Sequence, residues 1–371
     1  MDIAGLRCHA AAVAAAMLVG CSTATRPTQT PPLLPSAADR GVPKAASYVY
    51  VGECCRFANT GEVTLYDLAL TGVVRTITKD VGTPDYLIVD GSGRLYVINR
   101  VYIGYGLGVV TEYDGGSERP SRRIKLHGAW ASATDSSNNL YVAACISCSI
   151  YETGNGSVEV YKAGSTKLLR SITNGIHAPV SVAVDTDDNL YVANASYAHP
   201  AVTVYAPGSS KPFRKLTQRL RAPTAVALDP SNNVFVMNNP VNGSPSIVEY
   251  AAESNKVLRT ITSGISSPQA IAVDASGTLY VANAPGSTGG WISAYDSGAS
   301  TPSYEIKSHV NAPQALTVDG EENLYVGNDG PNHRPRYVGS VCVYASNTRT
   351  PLRGVQGERR FEQPSSLAVG P

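Results

Sequence analysis

The side chains best suited to chemistry are few. After His9 there are five histidines (His127, His177, His199, His309 and His333), and after Cys21 there are five cysteines (Cys54, Cys55, Cys145, Cys148 and Cys342). Imidazoles and thiolates ligate metals, move protons and form disulfides. The tightest spacing is Cys145-Ile146-Ser147-Cys148, a redox or metal spacing. A redox dithiol needs a helix N-terminus to lower its pKa, and nothing around Cys145 has helical periodicity. In an oxidising compartment the pair reads as a disulfide stapling a long loop, with a zinc site or free thiols as the other readings. Cys54-Cys55 can bond to each other or elsewhere, so the pairing of the five cysteines stays open. No His-x-Glu or comparable cluster exists, so no catalytic residue, metal or cofactor is expected.

Composition narrows the class of partner. With 30 basic and 29 acidic residues the formal net charge is +1, which excludes nucleic-acid binding driven by bulk charge. Only 16% of residues are charged, and 34 Gly with 24 Pro exclude coiled coil and long-helix architectures. The aromatics are lopsided, at 21 Tyr against 4 Phe and 2 Trp. A repeat explains most of that excess.

Asp followed six residues later by Tyr (once Phe) recurs at Asp90/Tyr96, Asp135/Tyr141, Asp185/Tyr191, Asp229/Phe235, Asp274/Tyr280 and Asp319/Tyr325. Pro84, Pro179, Pro223, Pro268 and Pro313 each stand six residues before the Asp. In the unit starting at Pro179, strands are expected over Val180–Val184, Leu190–Asn194, Val202–Tyr205 and Phe213–Thr217, separated by turns such as Asp185–Asn189 and Pro207-Gly208. Four short strands per repeat of about 45 residues is the pattern of a β-propeller blade. The second strand recurs seven times, and so does the Tyr ending the third strand, from Tyr66 to Tyr344. The expected fold is therefore all-β, a seven-bladed propeller of four-stranded blades. The segment from Tyr48 lacks a first strand of its own, so the C-terminal strand Pro364–Val369 should join three N-terminal strands and close the ring. Small residues alternate with bulky ones along the first strands (Ser181 and Ala183, Ala225 and Ala227), as nesting blades require.

This repeat sorts the loops onto two faces. First-to-second turns are uniform. Second-to-third loops vary in length and share a face with the fourth-to-first connections, and variable loops on a rigid scaffold are where binding resides. All five histidines fall in loops of that variable face, and so do four of the five cysteines. Candidate ligand contacts are Asp85, Trp130, Gln269 and Gln314 at first-strand heads, with Thr224 at the same place. His127, His177 and His309 are candidates in the fourth-to-first connections. Tyr102, Tyr105, Tyr151, Tyr197 and Tyr337 are candidates in the second-to-third loops, beside Trp291. Asn99, Asn194, Asn238, Asn283 and Asn328, with Glu53 once, close the second strands. Such a ring suits a metal or sugar, yet its repetition favours a turn cap.

Ahead of the repeats, Arg7 precedes an apolar run from Ala10 to Gly20, too short to span a bilayer as a helix. The run ends in Leu18-Val19-Gly20-Cys21, which resembles the lipobox of bacterial lipoproteins. That resemblance implies a signal peptide over 1–20 and lipidation of Cys21, with several acyl chains anchoring stably. It implies a cell-envelope location, at the outer membrane where a cell has two, since Ser22 is not an inner-membrane retention signal. Residues 21–46 carry five prolines without apolar periodicity and read as a tether of roughly 25–30 Å or more. The propeller then occupies 47–371.

Pro-x-x-(Val/Ile)-Ala-(Val/Leu)-Asp, followed by Asn-Leu-Tyr-Val-Ala-Asn and Val-Thr-Val-Tyr, resembles the NHL-repeat propellers and their bacterial surface relatives. The resemblance implies a monomeric module that binds a peptide, glycan or protein partner through its variable face. Two other readings stand beside it. One is a metal-assisted lyase or lactonase, as in the propeller enzymes virginiamycin B lyase and the gluconolactonases. The other is a structural role in envelope assembly.

Overall fold

Runs rich in Val, Ile, Ala and Tyr, bounded by Asp-, Asn- and Gly-containing turns, become twenty-eight short strands among the described residues. The structure, a computed structural model, describes residues 48–53, 61–68, 72–99, 107–115, 117–145, 156–286, 289–330, 339–356 and 364–370. Blade 1 comprises β1 (Tyr48–Glu53), β2 (Glu62–Asp67) and β3 (Val73–Ile77). Blade 2 is β4 (Pro84–Val89), β5 (Leu95–Asn99), β6 (Leu107–Tyr113) and β7 (Arg122–His127). Blade 3 is β8 (Ala129–Thr134), β9 (Leu140–Cys145), β10 (Gly156–Tyr161) and β11 (Leu168–Ile172). Blade 4 is β12 (Pro179–Val184), β13 (Leu190–Asn194), β14 (Ala201–Tyr205) and β15 (Arg214–Leu216). Blade 5 is β16 (Pro223–Leu228), β17 (Val234–Asn238), β18 (Ser246–Tyr250) and β19 (Val257–Ile261). Blade 6 is β20 (Pro268–Val273), β21 (Leu279–Asn283), β22 (Trp291–Tyr295) and β23 (Tyr304–Ile306). Blade 7 is β24 (Pro313–Val318), β25 (Leu324–Asn328), β26 (Ser340–Tyr344) and β27 (Arg353–Gln356). The last strand, β28 (Pro364–Gly370), pairs antiparallel with β1 and completes blade 1.

Seven four-stranded antiparallel sheets result, with the ring closed as the missing first strand demanded. The seven first strands neighbour one another in a closed ring, β28 lying between β24 and β4. They therefore line the axis. Blades nest by the expected alternation: Ala225 and Ala227 of blade 5 share a core cluster with Ile271, Leu279 and Val281 of blade 6. Gly156 opens the third strand of blade 3 and Gly339 directly precedes that of blade 7, and a Cβ on either would run into the strand-head proline ring of the next blade, Pro179 or Pro364. Glycine lets the blades close up there.

The tyrosine excess is structural. Each Asp of the first-to-second turn is a hub, as at Asp185: Oδ1 accepts from the N–H groups of Asp187 (3.0 Å) and Asn189 (2.8 Å), and Oδ2 from the Tyr191 hydroxyl (3.0 Å). Arg214 of the fourth strand lies over the Tyr191 ring and donates to its hydroxyl at 2.8 Å. Blade 5 has Phe235 in place of Tyr, and there Arg259 pairs with Glu249 instead. Third-strand tyrosines tie down the preceding interblade connection. Tyr205 donates to Asn174 O at 2.7 Å and Tyr295 to Ser263 O at 2.7 Å. An amphipathic ring can fill an interblade core while its hydroxyl reaches a backbone acceptor, which Phe cannot do.

Candidate functional site

We call the face carrying the second-to-third and fourth-to-first connections the upper face. Where the first strands begin there, the ladder slips in every blade. Pro84 pairs with Asn99 and Tyr86 with Ile98, leaving Asp85 as an extra residue. The same bulge singles out Trp130, Val180, Thr224, Gln269, Gln314 and, in the closing blade, Ser365. A bulge re-aims one side chain out of the pleat. Because first strands line the axis, these seven residues encircle its upper end.

Several of these side chains donate to backbone. Trp130 Nε1–H reaches Cys145 O at 3.4 Å, Gln269 Nε2 reaches Ser267 O at 2.8 Å, and Gln314 Nε2 reaches Ala312 O at 3.3 Å. Ser365 Oγ donates to Pro84 O across the interblade boundary at 2.7 Å. With the amide nitrogens engaged, the glutamines are left with acceptors. Gln269 Oε1 is buried and has no hydrogen-bond partner, a cost that a ligand's donor would relieve. The half-buried Asp85 adds a carboxylate and the half-buried Trp130 an indole. The sequence pattern marked Asp85, Trp130, Thr224, Gln269 and Gln314. It missed Val180 and Ser365, although each directly follows a strand-head proline.

A second cluster lies in blade 4. His177 and His199 bring their rings to 4.6 Å between centroids, tilted by 37°. Burial, then His199, then Lys215 pull the His177 pKa below its ordinary value of 6.5. Nearby, the Tyr197 hydroxyl accepts from Val241 N–H at 3.0 Å, joining the second-to-third loops of blades 4 and 5. His309 lies in the blade 6 to blade 7 connection with φ of 60°, its Nδ1 2.9 Å from Ser308 Oγ.

Two placements correct the sequence reading. His127 is the last residue of β7 and not a loop residue, because the β6–β7 ladder extends to the pair Leu107–His127. Trp291 opens β22, where Nε1–H donates to Ser293 Oγ at 3.0 Å. Tyr102, Tyr105, Tyr151, Tyr337, His333, Cys21, Cys54, Cys55 and Cys148 lie outside the described residues. Cys145 is in a disulfide whose partner also lies outside them. Cys342 is a buried thiol, its Sγ 3.5 Å from His309 O.

The asparagine ring is a set of clamps. Asn194 Oδ1 accepts from His177 N–H at 2.8 Å while Nδ2 donates to Thr203 Oγ1 at 3.1 Å and Val192 O at 3.1 Å. Asn99, Asn283 and Asn328 repeat the arrangement on Gly82, Ser266 and Asn311. Each fixes an interblade connection against its own sheet, the capping role that the repetition suggested. In the closing blade Glu53 takes this place, buried, with burial pushing its carboxyl well above the usual range. Among the described residues no three His, Cys, Asp or Glu side chains come together as a metal-binding group.

No family model matches the chain, and no curated protein matches it. Solved structures do share its architecture. A Lactobacillus plantarum protein superposes with a TM-score of 0.64 at 14% identity, covering 88% of this chain and 99% of that one. A candidate 6-phosphogluconolactonase from Bacteroides uniformis gives 0.62 at 12% identity, with coverage of 88% and 99%. Kuenenia stuttgartiensis hydrazine synthase gives 0.55 at 15% identity over 72% of this chain and 80% of that one. At these identities the likeness establishes the seven-bladed propeller fold.

Proposed function

We propose that the chain is a cell-envelope lipoprotein of NHL-like type whose propeller binds a donor-rich ligand, a glycan or peptide, at the upper mouth of its axis. One observation carries this reading. Seven bulged strand heads ring the upper end of the axis, and they include a tryptophan, a carboxylate and a buried glutamine oxygen lacking a partner. An indole face suits a sugar ring or an apolar side chain, and acceptors suit hydroxyl or amide N–H donors. His177, His199 and Tyr197 extend the surface outward over blade 4. The lipidation reading is supported by Leu18-Val19-Gly20-Cys21 at the end of a short apolar run.

The test uses Trp130 as its own reporter. With Trp291→Phe removing the other indole, titration with soluble peptidoglycan fragments, which offer both sugar hydroxyls and peptide N–H groups, should shift Trp130 emission. Gln269→Ala and Asp85→Ala should each weaken binding about tenfold while thermal stability stays nearly constant. Unchanged emission and unchanged capture in both variants would remove the mouth as the site. Lipidation is read separately, by acyl labelling that Cys21→Ser should abolish.

A second reading, a metal-assisted lyase or lactonase, draws support from the fold shared with the Bacteroides uniformis protein. Lactone hydrolysis that depends on an added divalent metal would favour it over a pure binding role.

A further inference from the structure

Among the described residues eight large apolar side chains are markedly exposed, and seven of them occupy one place in the repeat. That place is the head of the outermost strand, just after the third-to-fourth turn on the lower face. Val74, Leu169 and Leu258 are bulged out of the ladder there: Tyr161 pairs with Leu168 and Val160 with Arg170, so Leu169 has no opposite number. Phe213 and Leu352 hold the same position in blades 4 and 7, each 58% exposed. Scattered exposed leucines need no explanation, but the same protrusion in five of seven blades of one rim does.

The turns that precede these residues in blades 3, 4, 5 and 7 are basic. Lys167, Lys211 and Lys256 stand one or two residues ahead of the apolar pair or Phe213 in three consecutive blades, Arg349 stands three residues ahead of Leu352, and Arg119 lies in the blade 2 turn, where Ser121 takes the apolar place; all five are exposed. Of the acids in these turns, Glu118 pairs with Arg75 and Asp114 with Arg94, while Glu253 is exposed three residues before Lys256. A basic residue beside a protruding apolar one, repeated around a rim, is how a protein surface seats itself at a lipid interface.

A separate observation selects the same face. Tyr48, where the described chain begins, pairs with Asp67 at the end of β2 and with Gly370 at the end of β28. The 47 residues before it therefore reach the propeller on the lower face. We infer that the lower rim docks on a bilayer with anionic headgroups, so that the upper mouth points away from the membrane. This goes beyond the ligand-binding reading and does not depend on it.

The experiment is hydrogen–deuterium exchange on the full chain, alone and with phosphatidylglycerol or phosphatidylcholine vesicles. Exchange should slow over residues 162–169, 206–213 and 251–258 on the anionic vesicles, and stay unchanged over 195–200 and 239–245 of the upper face. At about fivefold per basic residue near the surface, three lysines predict roughly 100-fold tighter rim binding to anionic than to neutral vesicles. Leu169→Ser/Phe213→Ser/Leu258→Ser changes only exposed side chains and should erase the protection although Cys21 and the tether are intact. Protection that persists in this variant overturns the proposal, as does equal protection on both lipids. So does protection that rises with protein concentration without vesicles, which would make the occupant a second copy of the chain.

Discussion

Replacing Asn194 by Ala separates a clamp from a ligand site. Asn194 is fully buried; its side chain satisfies His177 N–H and donates to Thr203 Oγ1 and Val192 O. Truncation strands the His177 N–H, at about 1–3 kcal/mol, and forfeits two further bonds at about 1 kcal/mol each. The expected loss is therefore roughly 3–5 kcal/mol. It should be read as a lower urea midpoint at unchanged m, with circular dichroism and tryptophan fluorescence giving one transition. Exchange at residues 174–178 should quicken as well, because the connection is released from its sheet. Were these asparagines ligand contacts instead, the variant would keep its stability and lose binding. A loss below about 1 kcal/mol would refute the clamp.

Three further outcomes follow from the same structure. Phe235→Tyr restores to blade 5 the hydroxyl that other blades aim at their Asp, here Asp229, and should raise stability by about 0.5–1 kcal/mol in urea unfolding; a loss would mean that Glu249 and Arg259 have closed the space. His177 should titrate below 6.5 by NMR, and His199→Ala should raise it part of the way, since burial remains the larger cause. Its folded pKa is depressed, so the stability linked to it is present above pH 6.5 and lost as pH falls through the lowered value. Glu53 has the opposite sign. Its carboxyl is raised above 4.5 chiefly by burial, so its contribution is full below that pH and lost as pH rises through the folded value. Glu53→Gln should therefore stabilise at pH 7 and change little at pH 4, as thermal melts at the two values would show.

Much of the fold was legible because a propeller repeats its instructions. Asp185, Tyr191 and Pro179 recur at fixed spacing, and a missing first strand at one end with a spare one at the other specified the closure. The candidate site was legible only as positions. Asp85 and Gln269 stood out as departures from the repeat, but no spacing reveals that the ladder slips there or that Gln269 Oε1 is left without a partner. Val180 and Ser365 were passed over because an apolar and a small residue look ordinary until the bulge places them on the ring. Arg214 was passed over as well, because its meaning required Tyr191 of the second strand beneath it.

Blade count, ring closure and the two faces were already readable from the residues, since those depend on period and on alternation along single strands. Tertiary structure decided what the repeated polar residues do. The Asn side chains are consumed by interblade backbone groups, and the Asp side chains by their own turns and the tyrosine hydroxyls, so both sets are scaffold. The bulged heads, by contrast, ring the upper end of the axis. It also decided that an apolar residue protrudes at the lower rim in five of the seven outer strands, because exposure depends on which neighbour is absent. A chain's period records local pairing; what a side chain is left free to do depends on the residues that packing sets beside it.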